Sequence, residues 1–384
     1  MTTFRTTLLF TLAMATGVAA HPACADDAAA QAKPQTMTRE QVTRILDSNR
    51  QIVTTQGIDE KVKLHINGID QWISVRGKDR RNPILLFLHG GPASPALPEA
   101  YTFQTAWEDY FTVVQWDQRG AGKTYGANSE EAMAPGMSVD GMTDDAAKLV
   151  QYLCEHYGKQ KIFLLGHSWG SILGVELAQR HPDWFYAYIS TGQVVNGRHN
   201  EEAGYNFALR RAREEGNQTA IRELEAIAPY PGNQLTIDHV GVRSKWEMYY
   251  GGLAWGRKDY QFEDDAESLS PDYTHEDRVA MGKGSLFSLN HLLPALLATD
   301  FDHVTNFGCP VIVFVGAHDY TTPHELTEEW YSHIHAPSKK LVSFADSAHM
   351  MMQEQPGRFL VHLVTDALPL AQQVGDAAPA EIVR

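Results

Sequence analysis

The chain has 384 residues, 43% of them hydrophobic and 21% charged, a globular composition long enough for one large α/β domain or two ordinary ones. A formal net charge of −15 argues against a nucleic-acid partner and repels polyanionic substrates from any site without a local basic patch. The opening stretch, MTTFRTTLLFTLAMATGVAAHPACADD, holds one basic residue, Arg5, then an apolar run from Leu8 to Ala20, then small residues. Ala23-Cys24-Ala25 fits a signal-peptidase site with Ala25 the last residue removed, and Val18-Ala19-Ala20 is a second fit. The run is too short to span a bilayer as a mature helix. His21-Pro22-Ala23 ahead of Cys24 lacks the aliphatic residue of a lipoprotein signal. Residues 1–25 therefore read as a signal peptide, and a periplasmic or secreted protein is expected. No later apolar run reaches the roughly 18 residues of a membrane span, so none is expected. After cleavage Cys154 and Cys309 remain. Export makes a disulfide chemically feasible, but one cysteine falls in a helical pattern and the other just ahead of a strand, so two separate buried thiols are expected.

Residues 26–55 read as a leader followed by a helix over Met37–Ile52, with Val42, Ile45, Leu46 and Ile52 on one face. KVKLHINGIDQWISVRG alternates on both sides of Asn67-Gly68, the signature of a β-hairpin. The pattern then changes. PILLFLHGGP, FTVVQWDQRGAG, KIFLLGHSWG, WFYAYISTG, CPVIVFVGAHD and KLVSFADSAH are continuous apolar runs ending in glycine or polar residues, as strands buried on both faces of a parallel sheet do. Helical patterns fall between or after them at Val139–Tyr157, Ser168–Arg180, Glu325–Ile334 and Pro356–Asp366. The fold class is accordingly α/β: a mostly parallel sheet flanked by helices, whose site is expected beyond the carboxyl ends of the strands. Its core comprises 56–190 and 306–370, with a tail at 371–384. Across 191–305 the alternation stops, and helices are expected at Glu201–Glu215, Asn217–Ile227, Asp238–Tyr250 and Ser285–Ala298. This segment reads as a helical cap inserted after the strand that follows the Ser168 helix.

Gly166-x-Ser168-x-Gly170 between a strand and a helix is the pattern of a nucleophile elbow. A serine in such a strained turn needs small neighbours on either side, presents its hydroxyl to a ligand, and stands at a helix N-terminus where negative charge is favoured. Asp319 and His349 each follow a strand, in the chain order Ser, Asp, His that suits this architecture. The expected roles are Ser168 as nucleophile, His349 as the base that takes its proton, and Asp319 as the carboxylate fixing the imidazole. His89-Gly90-Gly91-Pro92 follows the first buried strand, so the oxyanion is expected to be bound by the N–H groups of Gly91 and Trp169, with Gly90 left open as an alternative. His167, His318, His333 and His335 read as surface or packing residues. No metal-ligand spacing emerges, and no cofactor or metal is expected.

The stretches His89-Gly90-Gly91-Pro92, Trp116-Asp117-Gln118-Arg119-Gly120-Ala121-Gly122-Lys123-Thr124 and Gly166-His167-Ser168-Trp169-Gly170 together resemble the proline iminopeptidase family of α/β-hydrolases, over roughly residues 60–365. One departure is Ala93, where the family motif continues with glycine. The resemblance implies a serine hydrolase cleaving a small amide, short peptide or ester through an acyl-enzyme on Ser168. It implies a structural role for the W-D-Q-R-G loop, with Asp117 and Arg119 expected to form an internal ion pair. The family's exopeptidases bind a free substrate amine through cap carboxylates. Trp246-Glu247 resembles their W-E pair, which makes Glu247 a candidate substrate-binding residue, while the apolar Leu289 stands near where a second acid would be sought. Tyr205, Phe207, Trp246, Tyr249, Tyr250 and Trp255 either line an apolar pocket or pack the cap's own helices.

A small-molecule or short-peptide substrate is therefore expected, and the sequence sets no oligomeric state. A carboxylesterase or lactonase without aminopeptidase activity is the alternative within the class. A non-catalytic binding protein of the same fold is the alternative outside it. Dehalogenase and epoxide-hydrolase readings fail because those enzymes carry aspartate at the elbow, and a dinucleotide-binding reading fails for want of G-x-G-x-x-G after a strand.

Overall fold

A computed structural model describes residues 36–379, so the signal-peptide reading of residues 1–25 lies outside the described residues. Eight strands form one sheet: β1 (Ile58–Ile66), β2 (Ile69–Gly77), β3 (Ile84–Leu88), β4 (Thr112–Asp117), β5 (Ile162–His167), β6 (Phe185–Thr191), β7 (Val311–Gly316) and β8 (Lys339–Phe344). Their order is β1-β2-β4-β3-β5-β6-β7-β8. The hairpin β1–β2 and the β2–β4 pairing are antiparallel, and every pairing from β4 to β8 is parallel. Asn67 and Gly68 turn the hairpin with φ of 46° and 82°, the two positive values that a two-residue turn matched to strand twist requires.

Continuous apolar runs are explained by burial on both sides. Leu86, Leu88, Ile162 and Leu164 face one hydrophobic cluster, while Leu85, Phe87, Phe163 and Leu165 face the other, with Trp107, Phe111 and Phe359. The helices of eight residues or more are α1 (Arg39–Asn49), α2 (Val139–Tyr157), α3 (Trp169–Arg180), α4 (Gly197–Glu215), α5 (Gln218–Ala226), α6 (Ile237–Tyr249), α7 (Gln261–Ser268), α8 (His275–Ala298) and α9 (His324–His333). Among the described residues no helix is long and apolar enough to cross a membrane. Cys154 and Cys309 are separate free thiols, the second buried and the first half-buried.

Chain order reverses direction across the sheet at β3, which has β4 on one side and β5 on the other. Crevices at such switch points, beyond the carboxyl ends, are where open α/β sheets bind ligands. The insertion between β6 and β7 carries α4 to α8. Its two ends meet at a β-bridge between Asn196 and Asp300, flanked by backbone bonds from Gly197 N–H to Thr299 O and from Phe301 N–H to Val195 O. The cap has its own apolar core, built on Tyr205, Phe207, Leu224, Trp246 and Tyr250. Three of its elements differ from the expectation, the first being α4, which starts at Gly197, four residues before Glu201. Helix α7 has no counterpart in the sequence reading, and α8 begins ten residues earlier than Ser285, with a Thr274–Asp277 capping box at its start.

Candidate active site

Strand β5 ends at His167 and α3 starts at Trp169, so one residue makes the turn. That residue, Ser168, has φ 53° and ψ −123°, a conformation that costs a non-glycine residue energy and persists only when the surroundings impose it. The surroundings are tight. A Cβ on Gly166 would lie 2.8 Å from Gly170 O, and one on Gly170 would lie 2.0 Å from Leu88 O. Both glycines are therefore demanded by backbone approach. Ser168 N–H donates to Thr191 O at 3.1 Å, and Ser168 O accepts from both Ser171 N–H and Ser171 Oγ. These bonds engage the Ser168 backbone and leave its side chain bordering a cavity.

Asp319 and His349 come from the loops after β7 and β8 and meet at 2.8 Å, Oδ2 to Nδ1. Both are almost fully buried. The carboxylate is held by Thr321 N–H and Thr322 N–H on Oδ1, at 3.0 and 2.9 Å, and by the Thr322 hydroxyl on Oδ2. Burial disfavours the charged imidazole of His349, but the charge and hydrogen bond of Asp319, helped by Glu247 and Glu354, outweigh it and leave the pKa above the ordinary histidine value. Since Nδ1 faces a carboxylate, Nε2 is the nitrogen free to exchange a proton. His167 packs on the same ring, centroids 4.7 Å apart, and donates from Nε2 to His349 O at 3.2 Å. Burial, with His349 beside it, holds His167 well below the usual histidine range and so neutral. Ser168, His167 and His349 border one cavity of about 370 Å³.

Gly90, Gly91 and Trp169 border that cavity too. Trp169 N–H opens α3 and has no intrahelical acceptor. Gly91 N–H has no acceptor among the described residues. The loop is pinned by the buried His89, whose Nδ1–H donates to Gly90 O at 2.9 Å while Nε2 accepts from Gln118 N–H at 3.2 Å. Burial lowers the His89 pKa to about 4, so the neutral tautomer persists. Gln118 Nε2 also donates to His89 O, and this is what the W-D-Q-R-G loop contributes to the site.

Asp117 and Arg119 do not pair with each other. The chain turns after β4, so their side chains diverge. Arg119 makes a two-pronged bridge to Asp145 on α2, at 2.8 and 3.1 Å, and reaches Asn67 O and Met133 O. Asp117 instead accepts from Lys123 N–H at 2.8 Å and from the Tyr273 hydroxyl just before α8, tying core to cap. Burial raises its pKa to about 6.

Of the cap residues singled out in the sequence, Leu289 lines the cavity, whereas Glu247 and the aromatic residues sit elsewhere. Glu247 is fully buried, its carboxylate taken up by Arg243 and the Thr321 hydroxyl. Trp246 packs on Tyr249 and Tyr250, its Nε1 donating to Glu223. Tyr205 stacks on Tyr230 and donates to Leu224 O. Trp255 stacks on His318 at the surface. Trp255 apart, these aromatic residues thus pack the cap, and the cap's share of the wall includes Leu289, Leu293, Leu296 and Tyr260 with the polar Asn200, Glu201 and Arg243. Glu99, Glu263 and Glu267 line the cavity as well. The i, i+4 spacing of Arg243 and Glu247 was a legible signal for that pair. Nothing local marks Glu99 or Glu263, which come together only in the fold.

Such an arrangement can move a proton from a hydroxyl to a carboxylate-backed imidazole beside two unpaired backbone donors. The family model described as the alpha/beta hydrolase fold matches residues 83–356. A probable aminopeptidase, YbaC, of Bacillus subtilis is 32% identical over 77% of this chain and 92% of its own. A proline iminopeptidase of Arabidopsis thaliana is 27% identical over 71% of this chain and 70% of its own. Among solved structures, a proline iminopeptidase-related protein of Thermus thermophilus superposes with a TM-score of 0.54, at 19% identity, over 82% of this chain and 99% of that one.

Proposed function

The chain belongs to the α/β-hydrolase family, in its proline iminopeptidase-like group, and from that premise we propose that it is an exported serine hydrolase cleaving a small amide, short peptide or ester. The observation that carries the reading is the meeting of Ser168, held in a left-handed turn, with the Asp319-backed His349 in one cavity. In the proposed reaction Ser168 Oγ attacks the substrate carbonyl carbon as His349 Nε2 takes its proton. The carbonyl oxygen becomes an oxyanion accepting from Gly91 and Trp169 N–H. His349 then gives the proton to the departing amine or alcohol, the carbon–heteroatom bond breaks, and an acyl-Ser168 ester remains. Water repeats the cycle, losing its proton to His349 and releasing the acid. Asp319 holds the imidazolium formed in each half.

Three experiments test this. A fluorophosphonate probe is expected to label Ser168 in the protein and to fail on Ser168→Ala. Absence of labelling in the unaltered protein leaves a binding protein of the same fold as the better reading. Rates on aminoacyl amides against short acyl esters decide within the class, since turnover of the esters alone favours a carboxylesterase or lactonase. Export is tested by the N-terminal mass of the protein from the periplasm or medium. Retention of residues 1–25 there contradicts the signal-peptide reading.

A further inference from the structure

Asp319 and His349 stand on different loops, and one short stretch of the cap, Gly252 to Trp255 between α6 and α7, touches both. Gly252 O accepts at 2.9 Å from the N–H of Tyr320, the residue after Asp319. Leu253 O accepts from His349 N–H, also at 2.9 Å. The Trp255 ring lies flat on that of His318, the residue before Asp319, centroids 3.4 Å apart.

The main-chain N–H of Trp255 is tied to the same place by a side chain. Glu354 ends the short helix Met351–Glu354, five residues beyond His349. Its Oε2 accepts from Ala348 N–H at 3.0 Å and its Oε1 from Trp255 N–H. One carboxylate therefore joins the residue before His349 to the cap. A carboxylate has two accepting oxygens and no donor, so it can bridge two N–H groups, whereas an amide would turn its own NH2 against one of them.

The main chain at His349 is thus held three times: Ala348 N–H by Glu354, His349 N–H by Leu253 O, and His349 O by His167 Nε2 at 3.2 Å. The ring has little slack either, since a Cβ on Gly192 would lie 2.5 Å from its Cε1. Glu354 is half-buried and stands behind the cavity wall, which His349, Met350 and Met352 border. Burial pushes its carboxyl above the ordinary glutamate value, against the two N–H bonds and Arg257. A charge is kept where burial disfavours it, by the bonds that tie the loop down.

We propose that Glu354 is the positioning residue of the catalytic base: by bridging Ala348 N–H and Trp255 N–H it fixes the His349 main chain to the cap and so aims Nε2 at Ser168. This assignment rests on the reading of Ser168 and His349 as nucleophile and base, and it gives the cap a part in proton transfer besides roofing the cavity. The cap supplies Gly252 O, Leu253 O and Trp255 N–H, all main-chain groups. The clamp therefore asks for a backbone at this place and for no particular side chain.

Two variants of the whole protein test it. Glu354→Gln removes the charge and one of the two acceptors, while Glu354→Asp keeps the charge and shortens the reach by one methylene. Kinetics on a short acyl ester are read per active site, counted with the fluorophosphonate probe, so that unfolded molecules drop out. Both variants are expected to lower kcat roughly tenfold or more, since a misplacement of about 1 Å can cost about 10²-fold. KM should change less than about twofold, because Glu354 does not border the cavity. Ionised Glu354 favours the His349 imidazolium. Its loss in Glu354→Gln therefore lowers the His349 pKa and carries the rising limb of kcat/KM to lower pH, by roughly half a pH unit, and Glu354→Asp leaves the limb in place. The other titratable or charged groups facing the pair are Asp319, Glu247 and His167 around His349, and Arg257 and Asp319 around Glu354, with His318 behind Trp255. A loss of kcat that vanishes when counted per site, or an unmoved limb in Glu354→Gln, overturns the proposal. Should Glu354→Gln fail to fold, Glu354→Asp decides alone, and a per-site kcat equal to that of the unaltered protein overturns it.

Hydrogen exchange separates the clamp from the chemistry. In Glu354→Gln the amides of Ala348, His349 and Trp255 should exchange roughly tenfold faster, together, while those of β5 and β6 stay as they were. Unchanged exchange at these three overturns the clamp. Faster exchange in a protein whose unaltered form takes no probe and turns over no ester or amide retains the clamp and sinks the serine-hydrolase reading instead.

Discussion

Ser168 and its two glycine neighbours show why one residue can be both strained and open to the cavity: the turn that forces φ to 53° also leaves the half-buried side chain bordering it. An alanine bears the same strain in the same turn. Ser168→Ala is therefore expected to change stability by no more than about 0.5 kcal/mol while lowering turnover roughly 10⁴-fold or more. Thermal melts beside progress curves check both halves. The raised pKa of His349 sets a second expectation. Only neutral imidazole takes a proton, so kcat/KM should climb with pH through one ionisation lying above the ordinary value of about 6.5. A limb below that value contradicts the dominance of Asp319 over burial. The linked stability has the opposite slope: the imidazolium–carboxylate pair stabilises fully below the unfolded-state pKa and ceases to do so as pH passes the raised folded one. Glu247 behaves differently from a substrate-gripping residue. Because it is buried against Arg243, Glu247→Gln should destabilise by about 3 kcal/mol, as breaking one partner of a buried pair does, with no selectivity between amine-bearing and amine-blocked substrates. A selective rise in KM for the amine-bearing ones returns Glu247 to the cavity.

Elements differ in how far their sequences declare them. The strands β3 to β7 were legible because burial on both faces leaves no alternative to a continuous apolar run, and Asn67-Gly68 names its own turn; β8, at the sheet edge, is instead exposed at Lys339, Lys340 and Ser343 and buries only Val342 and Phe344 fully. Helix α2 was legible from caps, Ser138 at one end and the left-handed Gly158 at the other. Helix α7 was not, because QFEDDAES carries hardly any apolar stripe and is helical by virtue of what it packs on. The first turns of α8 were hidden by Gly282 and Gly284, poor helix formers. The second is demanded by a contact 164 residues away in sequence, since a Cβ there would lie 2.3 Å from Gly120 O. The triad candidates could be read because each follows a strand. The cavity wall could not, since an aromatic residue that lines a pocket and one that fills a cap core look alike in a single sequence. One element has a function that only the fold reveals. Arg39, at the start of α1, donates to Ser268 O, Ser270 O and Tyr273 O at 2.7 to 3.0 Å, strapping the linker between α7 and α8. Arg50 and Lys61 add bridges to Asp272 at 2.6 and 2.8 Å. Arg39→Ala should therefore speed amide hydrogen exchange in 261–275 by roughly tenfold or more, given about 1.5–3 kcal/mol for hydrogen bonds to a charged group, while exchange in β5 and β6 stays as it was. Uniform acceleration across the sheet contradicts a local strap.

At the scale of the whole molecule the charge of −15 and the acidic cavity act in one direction, enriching cations near the site and depleting anions. Raising salt from low to about 0.15 M should lower kcat/KM several-fold for a cationic substrate and barely touch an uncharged one, because screening shortens the reach of both fields to about 8 Å. Stopped assays over a salt series decide this, and a flat response for the cationic substrate refutes it. The joint at Asn196 and Asp300 carries a further consequence. The cap leaves the sheet and returns to it at adjacent points, so to the sheet it is a side loop whose contents are free to change. Lengthening such a loop twofold adds only about 0.6 kcal/mol of closure entropy. Descendants of this chain can therefore exchange, shorten or extend the cap and acquire new substrates while Ser168, Asp319 and His349 are inherited untouched, each just beyond a strand that the cap does not interrupt.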